Sequence, residues 1–236
     1  MSTAGVNILA LETATSACSV ALVNEDRVFQ REQIGNNIHS QVLLVMVQEV
    51  LQEAGISVAD LDAVAAGQGP GSFTGLRIGV GVAQGLAYGA GCPMIGISSL
   101  DALAAQANSS GKLIAGIDAR MGEIYWCVYT VKEDDIQRRS ELQLSNPGDL
   151  CSVLQADEQR NVLLVGNAWA EYREALGDVL QRHEVLPDVL YPNATGVLQL
   201  AQAKYAVREW VSAPEFAPEY VRNNVAKKSV RPVKAE

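Results

Sequence analysis

The sequence is poor in the residues that extracellular, membrane and metal-dependent proteins need most. Its 236 residues include only four cysteines and two histidines. The cysteines lie far apart and form no Cys-x-x-Cys pair, which favours buried, reduced thiols over disulfides or zinc ligands. No apolar run is long enough for a membrane span, and no basic segment precedes the first apolar stretch. We therefore expect a cytoplasmic protein without a signal peptide or a membrane contact.

Several catalytic motifs are also missing. The histidines, His39 and His183, belong to neither a His-Glu-x-x-His nor a His-x-x-x-His motif, so no histidine-based zinc site is expected. Ser72 does not lie in a Gly-x-Ser-x-Gly motif, and no Gly-Lys-Ser/Thr follows the glycine-rich loop at residues 67–75. Nothing in the sequence recommends a catalytic triad. His39 precedes an apolar helical stripe, which predicts a first-turn residue rather than a base.

Positive charge is scarce except at the end of the chain. The formal net charge is −9, so the protein as a whole gains nothing from the release of counterions around a nucleic acid. Residues 222–236 are the exception, because they are strongly basic. Two interpretations stay open for this tail: a solvated end, or an arm that contacts a phosphate backbone or an acidic partner. Its basic residues are Arg222, Lys227, Lys228, Arg231 and Lys234.

Two parts of the chain follow the same plan. Residues 9–13 align with residues 115–119, and in each an apolar strand ends in an acidic residue that a small residue follows. Two more strands, and then strand–helix alternation, follow at matching offsets in both copies. We predict an α/β protein with an N-terminal lobe at 1–110, a C-terminal lobe at 111–221 and the basic tail at 222–236.

This duplicated, ribonuclease-H-like plan with mixed sheets resembles the actin-like ATPase superfamily. The resemblance implies phosphates between the two opening hairpins, with the strand-end acids holding the water shell of a metal. The candidate cofactor-binding residues are then Glu12 and Asp118 at the acid positions and Gly69 and Gly71 in the glycine-rich loop. A buried or capping role for the two carboxylates, and a structural turn at the glycines, stay open as alternatives.

The helix expected at residues 76–89 has little polar surface. Gly81, Gly85 and Gly89 recur at a spacing of four and share one side, where another backbone can approach closely. That neighbour is either the protein's own sheet and first helix or a second chain. Because a helix that is apolar nearly all round must be covered on every side, we favour a subunit interface.

Several longer motifs resemble one family. Gly-Pro-Gly-Ser-Phe-Thr-Gly-Leu-Arg-Ile-Gly at residues 69–79, with Leu-Glu-Thr-Ala-Thr at 11–15, is similar to the signature of the TsaB family, also called YeaZ. Ile-Asp-Ala-Arg-Met-Gly-Glu-Ile-Tyr-Trp at 117–126 and Tyr-Val-Arg-Asn-Asn-Val-Ala at 220–226 resemble the same family. Glu12 is a departure, since relatives commonly carry aspartate there.

The resemblance implies a subunit without catalytic or metal-binding residues. TsaB proteins are paralogues of TsaD, the enzyme that transfers a threonylcarbamoyl group to the adenosine beside the tRNA anticodon. TsaD binds metal through two histidines of a Gly-Val-Asn-His-Leu-Glu-Gly-His-like segment, and Ser99 and Leu103 occupy those positions here. Serine is a poor metal ligand and leucine is none. No cofactor of its own is expected, while a nucleotide at the interface with the partner stays open.

The resemblance also implies partners. They are TsaD in a heterodimer, the ATPase TsaE, a second copy when TsaD is absent, and tRNA through the complex. In this family the first two helices form the pairing surface. The expected interface residues are Val42, Leu43, Met46, Val47, Leu76, Val80, Ala83 and Leu86.

Two other functions are weighed against this one. Relatives have been labelled glycoproteases, which suggests a metalloprotease, but the missing His-x-x-x-His motif argues against it. The second is a stand-alone ATPase or small-molecule kinase that uses Glu12 and Asp118.

Overall fold

The computed structural model describes residues 5–107, 109–132, 135–156 and 162–221. The basic tail at residues 222–236 lies outside the described residues, so both interpretations of it stay predictions.

The first lobe is built on a five-stranded sheet in the order β3-β2-β1-β4-β5. The first three strands are antiparallel hairpin neighbours, whereas β1, β4 and β5 are parallel. All of β1 is buried, as expected for a central strand covered on both faces. The strands are β1 (Ile8–Glu12), β2 (Ala17–Asn24), β3 (Arg27–Ile34), β4 (Ala63–Gly69) and β5 (Met94–Ser98).

The second lobe repeats this arrangement. Its sheet runs in the order β11-β10-β6-β7-β8, with β9 paired to β7. Antiparallel and parallel pairings fall at the same places as in the first lobe, so the predicted duplicated, actin-like plan is confirmed. The strands are β6 (Gly111–Asp118), β7 (Ile124–Lys132), β8 (Asp135–Arg138), β9 (Gln143–Ser145), β10 (Leu163–Val165) and β11 (Glu184–Val185).

The helices connect and cover these sheets. The first begins at His39, which confirms that this histidine is a first-turn residue. The first two helices end at Gly55 and Gly91 in the left-handed conformation, where glycine lacks the Cβ penalty. The helices are α1 (His39–Ala54), α2 (Phe73–Ala90), α3 (Ser99–Ala105), α4 (Pro147–Ala156), α5 (Ala168–Glu171), α6 (Arg173–Leu176) and α7 (Ala194–Ala206). Short 3₁₀ turns lie at Val58–Asp60, Gly177–Arg182 and Ala213–Glu215.

The predicted end of the second lobe is wrong, because the chain returns to the first lobe. Val197 and Leu198 of α7 are buried with Ile8 and Ile95 of the first sheet. Further along, Phe216 packs in the core that α1 and α2 cover. Residues 111–221 are therefore not a separate unit. The first sheet needs an apolar cover on its second face, and α7 supplies it.

The first lobe in turn contributes a helix to the core of the second lobe. Leu100 and Leu103 of α3, which follows the first sheet, are buried in the core of the second lobe. The first turn of α3 also carries Asp101, whose carboxylate accepts a hydrogen bond from the Tyr129 hydroxyl at 2.8 Å. The Arg138 guanidinium binds both oxygens of Asp101, at 2.7 and 2.8 Å. Burial and the adjacent Asp101 charge raise the pKa of Tyr129 well above 10.0, so the phenol stays a donor.

The glycines of α2 fall into two groups. A Cβ at Gly75 would overlap the carbonyl oxygen of Thr13, and one at Gly79 would overlap its Oγ1. The Thr13 hydroxyl donates to the Gly75 carbonyl at 2.9 Å, which holds the helix against the end of β1. A Cβ at Gly81, Gly85 or Gly89 would meet nothing within 4 Å.

This difference predicts opposite effects of the same substitution. Gly79→Ala should destabilise the fold by about 1–3 kcal/mol, because the added methyl overlaps a stiff, buried threonine. Gly85→Ala should stabilise it by up to about 1 kcal/mol through helix propensity. Chemical denaturation at low protein concentration measures both free energies of unfolding. Equal effects of the two substitutions would show that the α2–Thr13 contact is looser than described.

Candidate functional site

A cleft of about 490 Å³ opens between the two lobes. Its walls come from the β1–β2 turn, the segment that leads into α1, the start of α2, the β6–β7 turn and residues 219–221. Of the predicted cofactor-binding residues, Asp118 and Gly71 line the cleft. The structure therefore brings the two opening hairpins together, as the resemblance implies.

Glu12 is buried and bonded within the fold, which favours the buried role left open for it over the predicted cofactor role. The residue is 0% exposed. One carboxylate oxygen accepts hydrogen bonds from the Thr13 and Ala14 amides at 2.7 Å each, and the other accepts one from the Ser99 hydroxyl at 2.9 Å. A Cβ at Gly67 would overlap the carboxylate, so the glycine makes room for it. Burial raises the pKa of Glu12, while the three hydrogen bonds oppose that rise.

Ser99 and Leu103, the two positions compared with the metal-binding histidines, have structural roles in this chain. Ser99 is 0% exposed and is bonded to Glu12. Leu103 is also 0% exposed and packs in the core of the second lobe. Among the residues that the structure describes, no group of three or more histidine, cysteine, aspartate or glutamate side chains could hold a metal ion.

Asp118 is the predicted acid that reaches the cleft, and it caps its own turn. One oxygen accepts hydrogen bonds from the Arg120 amide at 2.8 Å and the Tyr172 hydroxyl at 2.7 Å. The Arg120 guanidinium lies 3.3 Å from the other oxygen. Burial and the bond to Asp118 raise the pKa of Tyr172. Arg120 and Met121 have φ values of 61° and 59°, a conformation that this capped turn sustains.

The glycines of the loop before α2 have packing roles. Gly69 has a φ of 102° and precedes a cis peptide bond to Pro70. A Cβ at Gly71 would overlap the backbone of Ala14. The Ser72 amide donates to the Ala14 carbonyl at 2.7 Å, and the Ser72 side chain caps α2 by accepting from the Gly75 amide at 3.2 Å. These contacts favour the structural alternative for both glycines.

Most of the predicted interface residues face the protein's own core, so that part of the prediction is wrong. Val42 and Leu86 are only partly buried, but the others are buried in the core of the first lobe: Leu43, Met46, Val47, Leu76, Val80 and Ala83. An apolar pattern on every side of a helix does not say which side faces the sheet, because all sides satisfy the same hydrophobic criterion.

The outer surface of α1 and α2 is nevertheless apolar. Leu44 is 58% exposed, Val45 is 51% exposed and Tyr88 is 79% exposed. Gly81, Gly85 and Gly89 of α2 are also exposed, and their open sides were described above. We call the exposed residues of this set, together with the glycines, the outer helix face. The glycine spacing was the sequence signal that pointed to it.

An aromatic and arginine cluster at the mouth of the cleft was not predicted. The Arg77 guanidinium lies 3.2 Å from the centre of the Phe73 ring and 5.4 Å from that of Tyr220. The two rings are 45% and 44% exposed. Phe73 and Arg77 are four residues apart on α2, but Tyr220 comes from a distant segment, and the sequence gives no local signal for its approach.

The thiols and the helices add two observations. Cys18, Cys92, Cys127 and Cys151 are free, and Cys18 and Cys127 are buried. Burial, with the nearby Glu12 charge, raises the pKa of Cys18 to about 11. Within the described residues, no helix has both the length and the apolar character needed to cross a membrane.

Comparison with known proteins gives consistent matches. A profile of the TsaD family, tRNA N6-adenosine threonylcarbamoyltransferase, matches residues 33–230. The chain is 40% identical to the tRNA threonylcarbamoyladenosine biosynthesis protein TsaB of Escherichia coli, covering 95% of this chain and 98% of that protein. It is 37% identical to TsaB of Haemophilus influenzae, covering 95% and 97%. The crystal structure of YeaZ from Pseudomonas aeruginosa superposes with a TM-score of 0.82 at 35% identity, covering 92% of this chain and all of that one.

The environment of Glu12 predicts a pH-dependent stability difference. A carboxyl whose pKa is raised by folding stabilises the fold at low pH, and that contribution is lost as the pH rises from 4.5 through the raised value. Glutamine can accept from both amides and bond to Ser99 without a charge. Relative to the unsubstituted protein, Glu12→Gln should therefore gain stability as the pH rises from 4.5 to 8, by about 1.4 kcal/mol for each unit of pKa elevation.

Urea denaturation of both proteins across this pH range measures the difference. Glu184→Gln, at an exposed position, controls for the loss of one acidic residue. A stability difference for Glu12→Gln that stays constant with pH would mean that folding does not raise the pKa of Glu12.

Proposed function

The chain belongs to the TsaB family of tRNA threonylcarbamoyladenosine biosynthesis proteins, and on this premise we propose that it is a noncatalytic subunit that binds and supports TsaD. In this proposal TsaD performs the threonylcarbamoyl transfer, and the present chain supplies no catalytic residue. TsaE and tRNA interact with the chain as parts of the same complex. The function in tRNA threonylcarbamoyladenosine biosynthesis follows from the family itself.

The observation that carries the proposal is the use of Ser99 and Leu103 by the fold. Ser99 holds the Glu12 carboxylate and Leu103 fills the second core, so neither has a free group to offer a metal or a substrate. A metalloprotease would need ligands at such a site. One similar structure from Pseudomonas aeruginosa is described as having similarity to a peptidase, but no described feature of this chain favours peptide hydrolysis.

The ATPase alternative has equally little support. Glu12 has no exposed surface, and Asp118 is committed to Arg120 and Tyr172. A metal held by both acids would have to displace these hydrogen bonds. We therefore propose that the chain has no cofactor of its own, with a nucleotide at the TsaD interface remaining open.

The outer helix face is the surface that we propose for TsaD, or for a second copy when TsaD is absent. Exposed Leu44, Val45 and Tyr88 supply apolar area, and the glycine stripe lets another helix backbone approach. Such patches mark protein contacts because the removal of apolar surface from water is favourable. A tRNA substrate, together with four free cysteines, supports a cytoplasmic location.

A large charged side chain on the glycine stripe should separate the subunits without unfolding the chain. Gly85→Lys places a cation where a Cβ meets no atom of this chain, so the monomer should keep its fold. Affinity for TsaD should fall by about 30-fold or more. The matched control is Val153→Lys on α4, where the residue is 43% exposed and lies away from this face. Copurification and calorimetric titration with TsaD measure both variants, and equal affinities would refute the assigned surface.

Reconstitution of the tRNA modification tests the role of the chain itself. Supplied with an activated threonylcarbamoyl donor and ATP, TsaD and TsaE with this chain should modify tRNA, whereas the chain alone should not. Omission of the chain should abolish or strongly reduce the reaction. In a further arm, Arg222, Lys227 and Lys228 are replaced by glutamine. If the tail is a solvated end, the rate should change by less than about threefold. A larger, salt-dependent loss would identify an arm that contacts tRNA or an acidic partner.

A further inference from the structure

A groove of about 420 Å³ lies at the end of α2, opposite the end of the helix that reaches the cleft. Its walls come from the last turn of α2, from residues 91–93 and from residues 210–214, which we call the strap. None of the described residues that line the groove is aspartate, glutamate, lysine, arginine or histidine. The groove is therefore an uncharged site on a chain whose net charge is −9.

The strap is held in place by the chain itself. The Met94 and Val211 amides each donate to the carbonyl of the other residue at 2.9 Å. The Gln84 side chain of α2 donates to the Ala213 and Phe216 carbonyls at 2.9 and 3.0 Å. Because these bonds fix both walls, a side chain that enters the groove meets a formed site and little free energy is lost in ordering it.

The groove exposes apolar side chains that the core does not cover. Tyr88 is 79% exposed and Val211 is 40% exposed. Trp210 also lines the groove, and its ring packs against that of Tyr205 with the centroids 5.2 Å apart. Tyrosine and tryptophan around a well-packed pocket are frequent in the parts of an interface that contribute most to binding. Such a pocket fits an aliphatic or aromatic side chain of a partner.

The groove is continuous with the outer helix face. Tyr88 belongs to both, because it is an exposed residue of that face and also lines the groove. Gly85 and Gly89 lie within one turn of Tyr88 on the same helix. A partner that covers the outer helix face therefore reaches the rim of the groove.

The basic tail of the chain does not match this site. Residue 221, where the description of the chain ends, follows Tyr220, whose ring lies 5.9 Å from that of Phe73 at the start of α2. Phe73 is roughly 22 Å from Tyr88 along the helix axis. Lysine and arginine side chains would also lose hydration in an uncharged groove without gaining a counterion.

We propose that TsaD places an apolar side chain, aliphatic or aromatic, in this groove when it covers the outer helix face. This inference rests on the proposed function. It adds the strap to a contact surface that was assigned above to α1 and α2 alone. Val211 is the strap residue best placed for the contact, since its side chain lines the groove while its backbone is bonded to Met94.

A charge at position 211 tests the contact. Val211→Lys should weaken TsaD binding by about tenfold or more, because an ammonium group would be buried without a counterion. Val211→Ile keeps an apolar, β-branched side chain and should stay within about threefold of the unsubstituted protein. The matched control is Val207→Lys, at a 73% exposed valine that does not line the groove, and it should also stay within about threefold. Calorimetric titration with TsaD measures the affinities, and circular dichroism establishes that each variant folds.

Tryptophan resonances test the same contact without a substitution at position 211. The chain has three tryptophans, so labelling with 5-fluorotryptophan gives one fluorine resonance for each, and Trp210→Phe identifies that of Trp210. Saturating, unlabelled TsaD should shift the Trp210 resonance. Trp126 and Trp169 are 6% and 1% exposed and do not line the groove, so their resonances serve as internal controls.

The outcomes separate this inference from the proposed function. An unmoved Trp210 resonance, or equal affinities of Val211→Lys and Val207→Lys, would overturn the inference. If Gly85→Lys still weakens binding in that case, the proposed surface on α1 and α2 stands without the groove. An effect of Val211→Lys on self-association alone would assign the groove to a second copy and would also contradict the inference. Failure of the unsubstituted chain to bind TsaD would overturn the proposed function as well.

Discussion

The buried carboxylate of Glu12 is the constraint around which the first lobe is arranged. Its hydrogen bonds join the end of β1 to the turn that follows and to Ser99 at the start of α3. Gly67 of β4 must lack a side chain for the carboxylate to fit. A charge without exposed surface is tolerated only when its oxygens are satisfied, so these four segments are bound to one geometry. The acid at the end of β1 thus joins these four segments within the fold.

The same part of the lobe decides which side of α2 faces outward. Thr13, next to Glu12, contacts the helix where Gly75 and Gly79 allow it to approach. Val80 and Ala83 are consequently turned into the core, and the glycines that remain open lie on the opposite side. Because the contact with Thr13 turns Gly75 and Gly79 inward, the open glycines form an outer surface that another backbone can approach. The glycine stripe that faces outward and the glycines that contact Thr13 are therefore on different faces of one helix.

The lobes are connected by an exchange of helices rather than by a simple linker. The α3 helix packs into the second core, and α7 covers the first sheet. Arg138 and Tyr129 hold Asp101 of α3 in the same crossing. The cleft therefore lies between two lobes that are packed into each other.

The sequence by itself determined the duplicated plan, the strand-end positions of Glu12 and Asp118, the start of α1 at His39 and the spacing of Gly81, Gly85 and Gly89. These features follow from local periodicity and from residue types that act within a few positions. Only the tertiary structure decided that Glu12 is buried, that Leu43 and Val80 face inward and that α7 returns to the first lobe. Each of these depends on contacts between distant residues, such as the Ser99–Glu12 bond across 87 positions. Periodicity predicts which side of a helix or strand is apolar, but tertiary packing determines which element covers that side.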